Sequence, residues 1–209
     1  LIWTVPSGGY SGIIAVGDFN NDSCDEFAIT IQGGVRLVDH TGTNYRTVTT
    51  GNNVRTDIAT IDLNNDGVDD FVYGDYSGVI FAFTNDGQTQ YWNYTMGGNG
   101  VNLETYDLDG DGEKEIIAEN RTSYSAGTDY IMVLNRTGSK LWENITGHGS
   151  IGYCYFTCIN SGFDFGDLNG DGTPDMCAGG VDGYIDCWYG NASGGGSGSC
   201  SGTPNSCSV

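Results

Sequence analysis

Four short acidic stretches contain the residues of this sequence whose types and spacing could do chemistry. In each stretch, Asp, Asn or Glu side chains occupy positions 1, 3, 5 and 9. Ca²⁺ takes about six to eight oxygen ligands, and alternate residues of a tight loop can direct their side-chain oxygens inward. Carboxylates crowded this closely repel one another unless a cation offsets their charge. The pattern predicts four calcium-binding loops, numbered loop 1 to loop 4, at residues 18–26, 62–70, 107–115 and 167–175.

The side-chain ligands that this pattern predicts are Asp18, Asn20, Asp22 and Glu26 in loop 1, Asp62, Asn64, Asp66 and Asp70 in loop 2, Asp107, Asp109, Asp111 and Glu115 in loop 3, and Asp167, Asn169, Asp171 and Asp175 in loop 4. The first aspartates of successive loops are 44, 45 and 60 residues apart. A period of about 45 residues is typical of a four-stranded propeller blade. Apolar residues follow each first Asp and precede it by four positions, so we expect each loop to join buried strand ends. These residues are Phe19, Leu63, Leu108 and Leu168, and Ile14, Ile58, Leu103 and Phe163.

An EF-hand is the first alternative for such loops, and one position argues against it. The EF-hand loop ends with a bidentate Glu at position 12. This chain has Ile29, Tyr73, Ala118 and Ala178 there. Short apolar runs follow each loop and soon reach turn residues, a pattern that indicates strands.

The sequence therefore predicts an all-β fold: a β-propeller of four blades, each four-stranded, with a calcium loop between strands one and two. The predicted blades cover residues 13–50, 57–95, 101–146 and 162–189, and a Gly/Ser/Cys-rich tail covers 190–209. The fourth blade lacks a fourth strand, and Trp3 precedes Asp18 by 15 residues, as Trp92 precedes Asp107. We expect residues 1–5 to complete the last blade, because closed rings avoid unpaired sheet edges. The same strand could instead complete the last blade of a neighbouring molecule, and this choice stays open.

Charge and cysteine content restrict the partners and the compartment. The formal net charge is −20, which argues against nucleic acid as a partner because such binding needs clustered Lys and Arg. No apolar run is long enough for a membrane span. Seven cysteines in a turn-rich acidic chain indicate an oxidising, extracellular or cell-surface location. The chain does not begin with Met, so we expect a processed or trimmed form.

Covalent modifications are also expected in such a setting. The cysteines considered for disulfides are Cys154 with Cys158, Cys177 with Cys187, and Cys200 with Cys207. Connectivity does not follow from sequence. Cys24 is left over, either as a buried thiol or as a bond to the tail or to another molecule. The glycosylation candidates, from Asn-x-Ser/Thr sequences, are Asn93, Asn120, Asn135, Asn144 and Asn191.

The loops in their strand context resemble the FG-GAP and VCBS repeats of integrin α-chain heads and of many secreted microbial proteins. The residues that carry the resemblance are Gly17 to Asn20, Asp62 to Gly67, Asp107 to Glu115 and Gly166 to Gly172. The resemblance implies a propeller that binds up to four Ca²⁺ on one face. It also implies that position-7 carbonyls are ligands, here those of Cys24, Val68, Glu113 and Thr173. Ser23 departs from the family glycine at position 6 of loop 1, and rings in the family usually have more than four blades.

Catalytic and zinc-binding motifs are not evident. His40 and His148 are the only histidines, and no nucleophile motif accompanies them. Zinc is not expected, because the sequence has no CxxC pair and no histidine cluster. Trp3, Trp92 and Trp142 recur at equivalent positions, which favours packing. Trp188 and the aromatic residues of the insert, Tyr153, Tyr155 and Phe156, are the better candidates for a contact surface.

The function expected from these observations is non-catalytic: a secreted or cell-surface calcium-binding propeller for adhesion, recognition or extracellular assembly. Its partner is expected to be a protein, a glycan or copies of itself. Two alternatives stay open. One is the subunit of an extracellular filament built by head-to-tail strand exchange. The other is a carbohydrate-active enzyme or its binding module, whose two carboxylates the sequence cannot single out among 27 acidic residues.

Overall fold

The computed structural model describes residues 3–6, 12–49, 57–98, 100–120, 130–145, 163–179 and 185–190. Every regular element in these ranges is a β-strand, and the strands form four antiparallel sheets. The prediction of an all-β fold is therefore confirmed. No helix in the described ranges has the length and apolar character needed to cross a membrane.

The strands follow the chain order within each sheet, so every sheet is a simple antiparallel meander. Sheet 1 contains β1 (Ile14–Gly17), β2 (Glu26–Ile31), β3 (Gly34–Val38) and β4 (Asn44–Thr49). Sheet 2 contains β5 (Asp57–Ile61), β6 (Asp70–Gly74), β7 (Val79–Phe83) and β8 (Gln90–Thr95). Sheet 3 contains β9 (Val101–Tyr106), β10 (Glu115–Asn120), β11 (Tyr130–Leu134) and β12 (Lys140–Ile145). Sheet 4 contains β13 (Phe163–Gly166), β14 (Asp175–Gly179) and β15 (Ile185–Trp188).

The sheets pack face to face in chain order, and alternation along the strands explains how. On β6, Phe71 and Tyr73 join the core with sheet 1, whereas Val72 joins the core with sheet 3. On β10, Ile116 faces sheet 2 and Ile117 faces sheet 4. Successive side chains of a strand point to opposite faces, so a strand that lies between two neighbouring sheets must bury side chains on both of its faces. This requirement explains why β6 and β10 are buried along their whole length.

Hydrogen bonds between the first strands join neighbouring sheets. The hydroxyl of Thr60 donates to the carbonyl of Val16 at 3.2 Å, and that of Thr105 donates to the carbonyl of Thr60 at 2.8 Å. The equivalent position in sheet 4 is Phe165, which instead stacks on Tyr106 with ring centroids 4.3 Å apart. The first strands of sheets 1, 2 and 3, which are β1, β5 and β9, line a cavity of about 230 Å³. These three strands therefore face a common space.

The described residues of the predicted N-terminal strand differ from expectation. Residues 3–6 have no regular secondary structure, and β15 pairs with β14 alone among described strands. The Trp3 indole packs on Phe27, with ring centroids 5.3 Å apart, and its Nε1–H donates to the carbonyl of His40. These contacts hold the segment on sheet 1. No hydrophobic cluster among the described residues joins sheet 4 to sheet 1, so the predicted closed ring is not seen.

The equivalence of Trp3 and Trp92 is nevertheless visible in their contacts. Trp92 donates from Nε1 to the carbonyl of Arg136, in the turn between β11 and β12, at 2.9 Å. Trp3 makes the same bond at 3.0 Å to the turn between β3 and β4. A Cβ on Gly42 or Gly138 would lie within 2.8 Å of the indole ring, and both glycines have positive φ. Each indole thus packs on the turn of the sheet that follows it, which supports a packing role.

Two of the apolar positions flanking the loops are exposed, contrary to expectation. Leu168 is 59% exposed, whereas Phe19 and Leu63 are buried. Phe19 packs into the core between sheets 1 and 2, and Leu63 into the core between sheets 2 and 3. A residue at this position is therefore buried only when the next sheet in the chain packs against its own sheet. No sheet follows sheet 4 in the described part of the chain, so Leu168 stays exposed. Ile14 is likewise exposed, at 54%, although the equivalent Ile58 and Leu103 are buried and line the same cavity.

Replacing Phe71 should test the packing between sheets 1 and 2. Its ring is fully buried and lies 6.2 Å from that of Phe19 and 6.0 Å from that of Phe83. We expect Phe71→Ala to lower the free energy of unfolding by about 3–5 kcal/mol, because it leaves a cavity between two sheets. The measurement is urea denaturation in the presence of Ca²⁺. Tyr76, 48% exposed in the same sheet, gives the control Tyr76→Ala, and an equal loss in both variants would contradict the packing assignment.

Candidate metal centre

The four loops share one internal hydrogen-bond pattern. The first Asp of each loop accepts a bond from the position-6 amide, at 2.8–3.0 Å. The position-5 Asp accepts from the position-7 amide at 2.8–2.9 Å. The structure therefore places the position-7 residues Cys24, Val68, Glu113 and Thr173 within each loop, next to a carboxylate. These bonds fix the carboxylates on the loop before any ligand arrives.

Left-handed backbone conformations bend each loop at positions 4 and 6. Position 6 has positive φ in every loop, and Gly67, Gly112 and Gly172 adopt it without a steric penalty. Ser23 takes the same conformation in loop 1, with φ 68°. A left-handed residue with a Cβ costs about 1–2 kcal/mol. Loop 1 therefore keeps the shape of the other three loops at the expense of local strain.

The acid at position 9 is the buried residue of each loop. Glu26 and Asp175 are 0% exposed, Asp70 is 1% exposed and Glu115 is 6% exposed. One carboxylate oxygen of each accepts a hydrogen bond from the position-2 amide, at 2.7–3.1 Å. Position 9 is also the first residue of the second strand in every sheet. This acid therefore ties both ends of its loop together beneath the exposed carboxylates.

Burial makes three of these acids, Asp70, Glu115 and Glu26, difficult to ionise. Burial raises the pKa of Asp70 to about 6, with a further contribution from Asp66 and Asp62. Burial also raises the pKa of Glu115 to about 7, and the carboxylates of Asp109, Asp111 and Asp107 add to the effect. The pKa of Glu26 is raised for the same two reasons. A bound cation would favour the ionised form of each acid.

Loop 3 brings its candidate ligands together most clearly. One carboxylate oxygen each from Asp107, Asp109 and Glu115 lies within 4.8 Å of the other two. All three donors are oxygens, the ligand type that Ca²⁺ and Mg²⁺ prefer. The residues present therefore fit a hard divalent cation, with Asp107, Asp109 and Glu115 as the ligands that the geometry supports.

Loops 1, 2 and 3 also touch in chain order, so they lie along one edge of the stacked sheets. Asp69 of loop 2 accepts a hydrogen bond from the Asp18 amide, and its own amide donates to the Asp18 carbonyl. Asn65 of loop 2 donates to Glu113 of loop 3 at 3.2 Å, and Glu113 pairs with Arg136 at 2.7 Å. This edge carries most of the acidic loop residues in the described part of the chain.

Loop 1 contains a second cluster that the sequence did not reveal. The ligand atoms of Asp22, Cys24 and His40 all lie within 4.8 Å of one another, and all three residues are exposed. His40 lies on the turn between β3 and β4, which antiparallel pairing of β2 and β3 brings back over loop 1. The only available signal was the position of His40 two residues beyond a predicted third strand.

The remaining predicted sites have mixed outcomes. Cys177 and Cys187 form a disulfide across paired strands, as predicted, and Cys24 is a free exposed thiol. Asn93 is exposed, whereas Asn135 and Asn144 are half-buried.

Two expectations are wrong. Asn120 is 2% exposed and accepts a bond from the Tyr130 amide, so burial removes it as a glycosylation acceptor. Trp188 is 7% exposed against Trp142, so it is not a contact surface. The candidates outside the described residues are His148, Tyr153, Cys154, Tyr155, Phe156, Cys158, Asn191, Cys200 and Cys207.

Comparisons with known proteins agree with the repeat type and the fold. A family model described as an FG-GAP-like repeat matches residues 62–118 and confirms the resemblance inferred from the loops. The crystal structure of the V. cholerae biofilm matrix protein Bap1 is similar, with a TM-score of 0.54 and 18% identity over 88% of this chain. The chain spans 29% of the length of that protein. BBS1N in complex with ARL6DN matches with a TM-score of 0.43 and 13% identity, over 84% of this chain and 65% of that one. No curated protein sequence matches the chain.

The raised pKa values predict how pH affects the calcium-free protein. Asp70 and Glu115 hold their protons to about pH 6 and 7 in the folded state, but only to about pH 4 when unfolded. The folded state then binds more protons between these limits, so the free energy of unfolding should fall as pH rises from about 4 to about 7. Chemical denaturation at several pH values without calcium measures this, and a rise across the window would contradict it.

Glu115→Gln separates the two roles of the buried acid. Without calcium at pH 8, we expect the variant to be more stable than the parent, because the amide oxygen can still accept the Leu108 bond without a buried charge. With calcium the order should reverse, because one ligand is lost and the affinity of loop 3 falls by roughly tenfold or more. Calcium titration and denaturation measure both effects.

Glu113→Gln is the matched control for that experiment. It removes the same charge from the same loop, but its side chain is 38% exposed and pairs with Arg136. Its effect on calcium affinity should be small, because its expected ligand is the backbone carbonyl. Equal losses of calcium affinity in the two variants would rule out Glu115 as the specific ligand.

Proposed function

Because residues 62–118 are an FG-GAP-like repeat, we propose that the chain is an extracellular calcium-binding module for adhesion or matrix assembly, without catalytic activity. The observation that carries the proposal is the row of acidic loops on one edge of the sheet stack, each built over a buried position-9 acid. Bound Ca²⁺ would offset the repulsion among these carboxylates and stiffen that edge.

The extracellular setting is supported by two further observations. Cys177 and Cys187 are joined by a disulfide, a bond that persists in oxidising compartments. The similar V. cholerae protein is a biofilm matrix protein. That protein is more than three times as long as the part that matches this chain. We therefore propose for this chain only a general role in an extracellular matrix.

A subunit of an extracellular assembly is the second candidate. Sheet 4 has three strands where the other sheets have four, and no described strand pairs with the outer edge of β15. Open edges accept strands from other molecules. A strand supplied by a second copy would complete the sheet and link the chains head to tail.

Calcium-dependent surface binding tests the first candidate. The full chain, immobilised, would be tested against a panel of matrix polysaccharides and cell surfaces, with Ca²⁺ and with a chelator. We expect binding that the chelator abolishes and that Glu115→Gln weakens more than Glu113→Gln does, because the loops lose order without the cation. Equal binding under both conditions would contradict the proposal. Hydrolysis of a panel glycan that a single carboxylate substitution abolishes would show an enzyme instead.

Light scattering during size-exclusion chromatography decides the second candidate. A monomer at every protein concentration, with and without calcium, excludes assembly by strand exchange. Species that grow with concentration support it, provided that deletion of residues 1–5 stops their growth.

A further inference from the structure

The candidate for a new site is the cluster between loop 1 and the turn that joins β3 to β4. It combines a thiol, an imidazole and a carboxylate from Cys24, His40 and Asp22, with their ligand atoms within 4.8 Å of one another. His40 Nδ1 lies 3.9 Å from Asp22 Oδ2. None of the other three loops has a Cys or His at these positions. The cluster is therefore a property of the first repeat.

A second and independent observation comes from Glu26. This residue is 0% exposed, and its Oε1 has no hydrogen-bond partner. The same oxygen lies 3.8 Å from His40 Nδ1, too far for a hydrogen bond but on the side of the cluster. A buried carboxylate oxygen without a partner is costly. A positively charged group or a bound cation next to Glu26 Oε1 would offset this cost.

The equivalent acids of loops 2 and 4 show what is missing in loop 1. There the second carboxylate oxygen accepts an amide bond from the turn after the third strand: Asp70 from Asn85 at 2.6 Å, and Asp175 from Gly190 at 2.9 Å. His40 occupies the same turn position, two residues after β3. In the first repeat, therefore, an imidazole nitrogen faces the buried acid where repeats 2 and 4 supply a backbone amide.

We propose that Asp22 Oδ2, Cys24 Sγ, His40 Nδ1 and Glu26 Oε1 form a site for a zinc-class divalent cation. Zinc binds thiolate, imidazole and carboxylate ligands, and a tetrahedral site places ligand atoms about 3.3–3.7 Å apart. The distances of 3.8 and 3.9 Å from His40 Nδ1 to its two carboxylate partners lie close to this range. The ligand atoms of Asp22, Cys24 and His40 lie within 4.8 Å of one another, so the site would contract around the ion and draw in Glu26 through its contact with His40. Zinc binding takes the thiol as thiolate, and its proton is released to solvent.

The expected consequence is a choice between two cations in loop 1. Asp22 and Glu26 belong both to this site and to the predicted calcium ligands, so one cation excludes the other. A thiolate and an imidazole favour zinc over calcium, which prefers oxygen ligands. Bound zinc would also link loop 1 to the turn between β3 and β4, on which His40 lies. The Trp3 indole rests on that turn through its bond to the His40 carbonyl.

Cobalt(II) substitution provides the direct test. The full chain, freed of metal and titrated with Co²⁺, should develop a thiolate-to-cobalt charge-transfer absorption that saturates at one equivalent and disappears on addition of Zn²⁺. Cys24→Ser should abolish the band. Cys24→Ser and His40→Gln should each weaken zinc binding by about 100-fold or more, because loss of an outer-shell partner alone costs about 10–100-fold. His148→Gln changes the only other histidine and should leave both signals unchanged.

Alkylation gives a second readout that needs no variant. Zn²⁺ should protect Cys24 from iodoacetamide, as located by mass spectrometry, and Ca²⁺ should not. The proposal is overturned by a charge-transfer band that persists in Cys24→Ser, by the absence of any band, by unprotected alkylation, or by a native disulfide at Cys24. Glu115→Gln should leave the zinc signals intact, so failure of the calcium proposal at loop 3 is distinguishable from failure here.

Discussion

The buried acid at position 9 is the interaction on which each repeat depends. Its carboxylate accepts a bond from the position-2 amide, so the chain entering the loop is joined to the strand leaving it. That geometry closes the intervening residues into a tight loop, whose other carboxylates are held by amides of the loop itself. The acid is also the first residue of the central strand β2, β6, β10 or β14. One side chain thus sets both the sheet register and the loop.

This arrangement destabilises the ionised form of the buried acids, and a bound cation would reverse that effect. Burial and the neighbouring carboxylates raise the pKa of Glu115 to about 7 and that of Asp70 to about 6. An ordinary polar turn has no reason to accumulate such a penalty, because Asn, Gly and Ser shape turns without charge. A bound cation would remove this penalty by favouring the ionised form of both acids. The same carboxylates that destabilise the free protein would therefore supply the binding energy for the proposed metal.

The repeat period and the loop chemistry allowed the all-β class, the strand order around each loop and the FG-GAP-like repeat to be predicted from sequence. The loop chemistry depends on residues within nine positions of one another, where spacing alone fixes which groups meet, and the period follows from the recurrence of the loops. The exposure of Leu168 and the burial of Trp188 were not predictable, because both depend on which sheet lies beside sheet 4. Asn120 was misassigned for a similar reason: the Asn-x-Ser/Thr sequence says nothing of its bond to Tyr130.

His40 shows most clearly which contacts cannot be predicted from the local sequence of one repeat. In the sequence it is an isolated histidine, 14 residues from Glu26. Antiparallel pairing of β2 with β3 reverses the chain and brings it back over loop 1, where Asn85 occupies the equivalent place in the second repeat. A repeat fold fixes the backbone at such a turn but leaves the side chain free to vary. Four loops with one geometry can therefore differ in the side chains that reach them from the turn, and so in the cation that each would select.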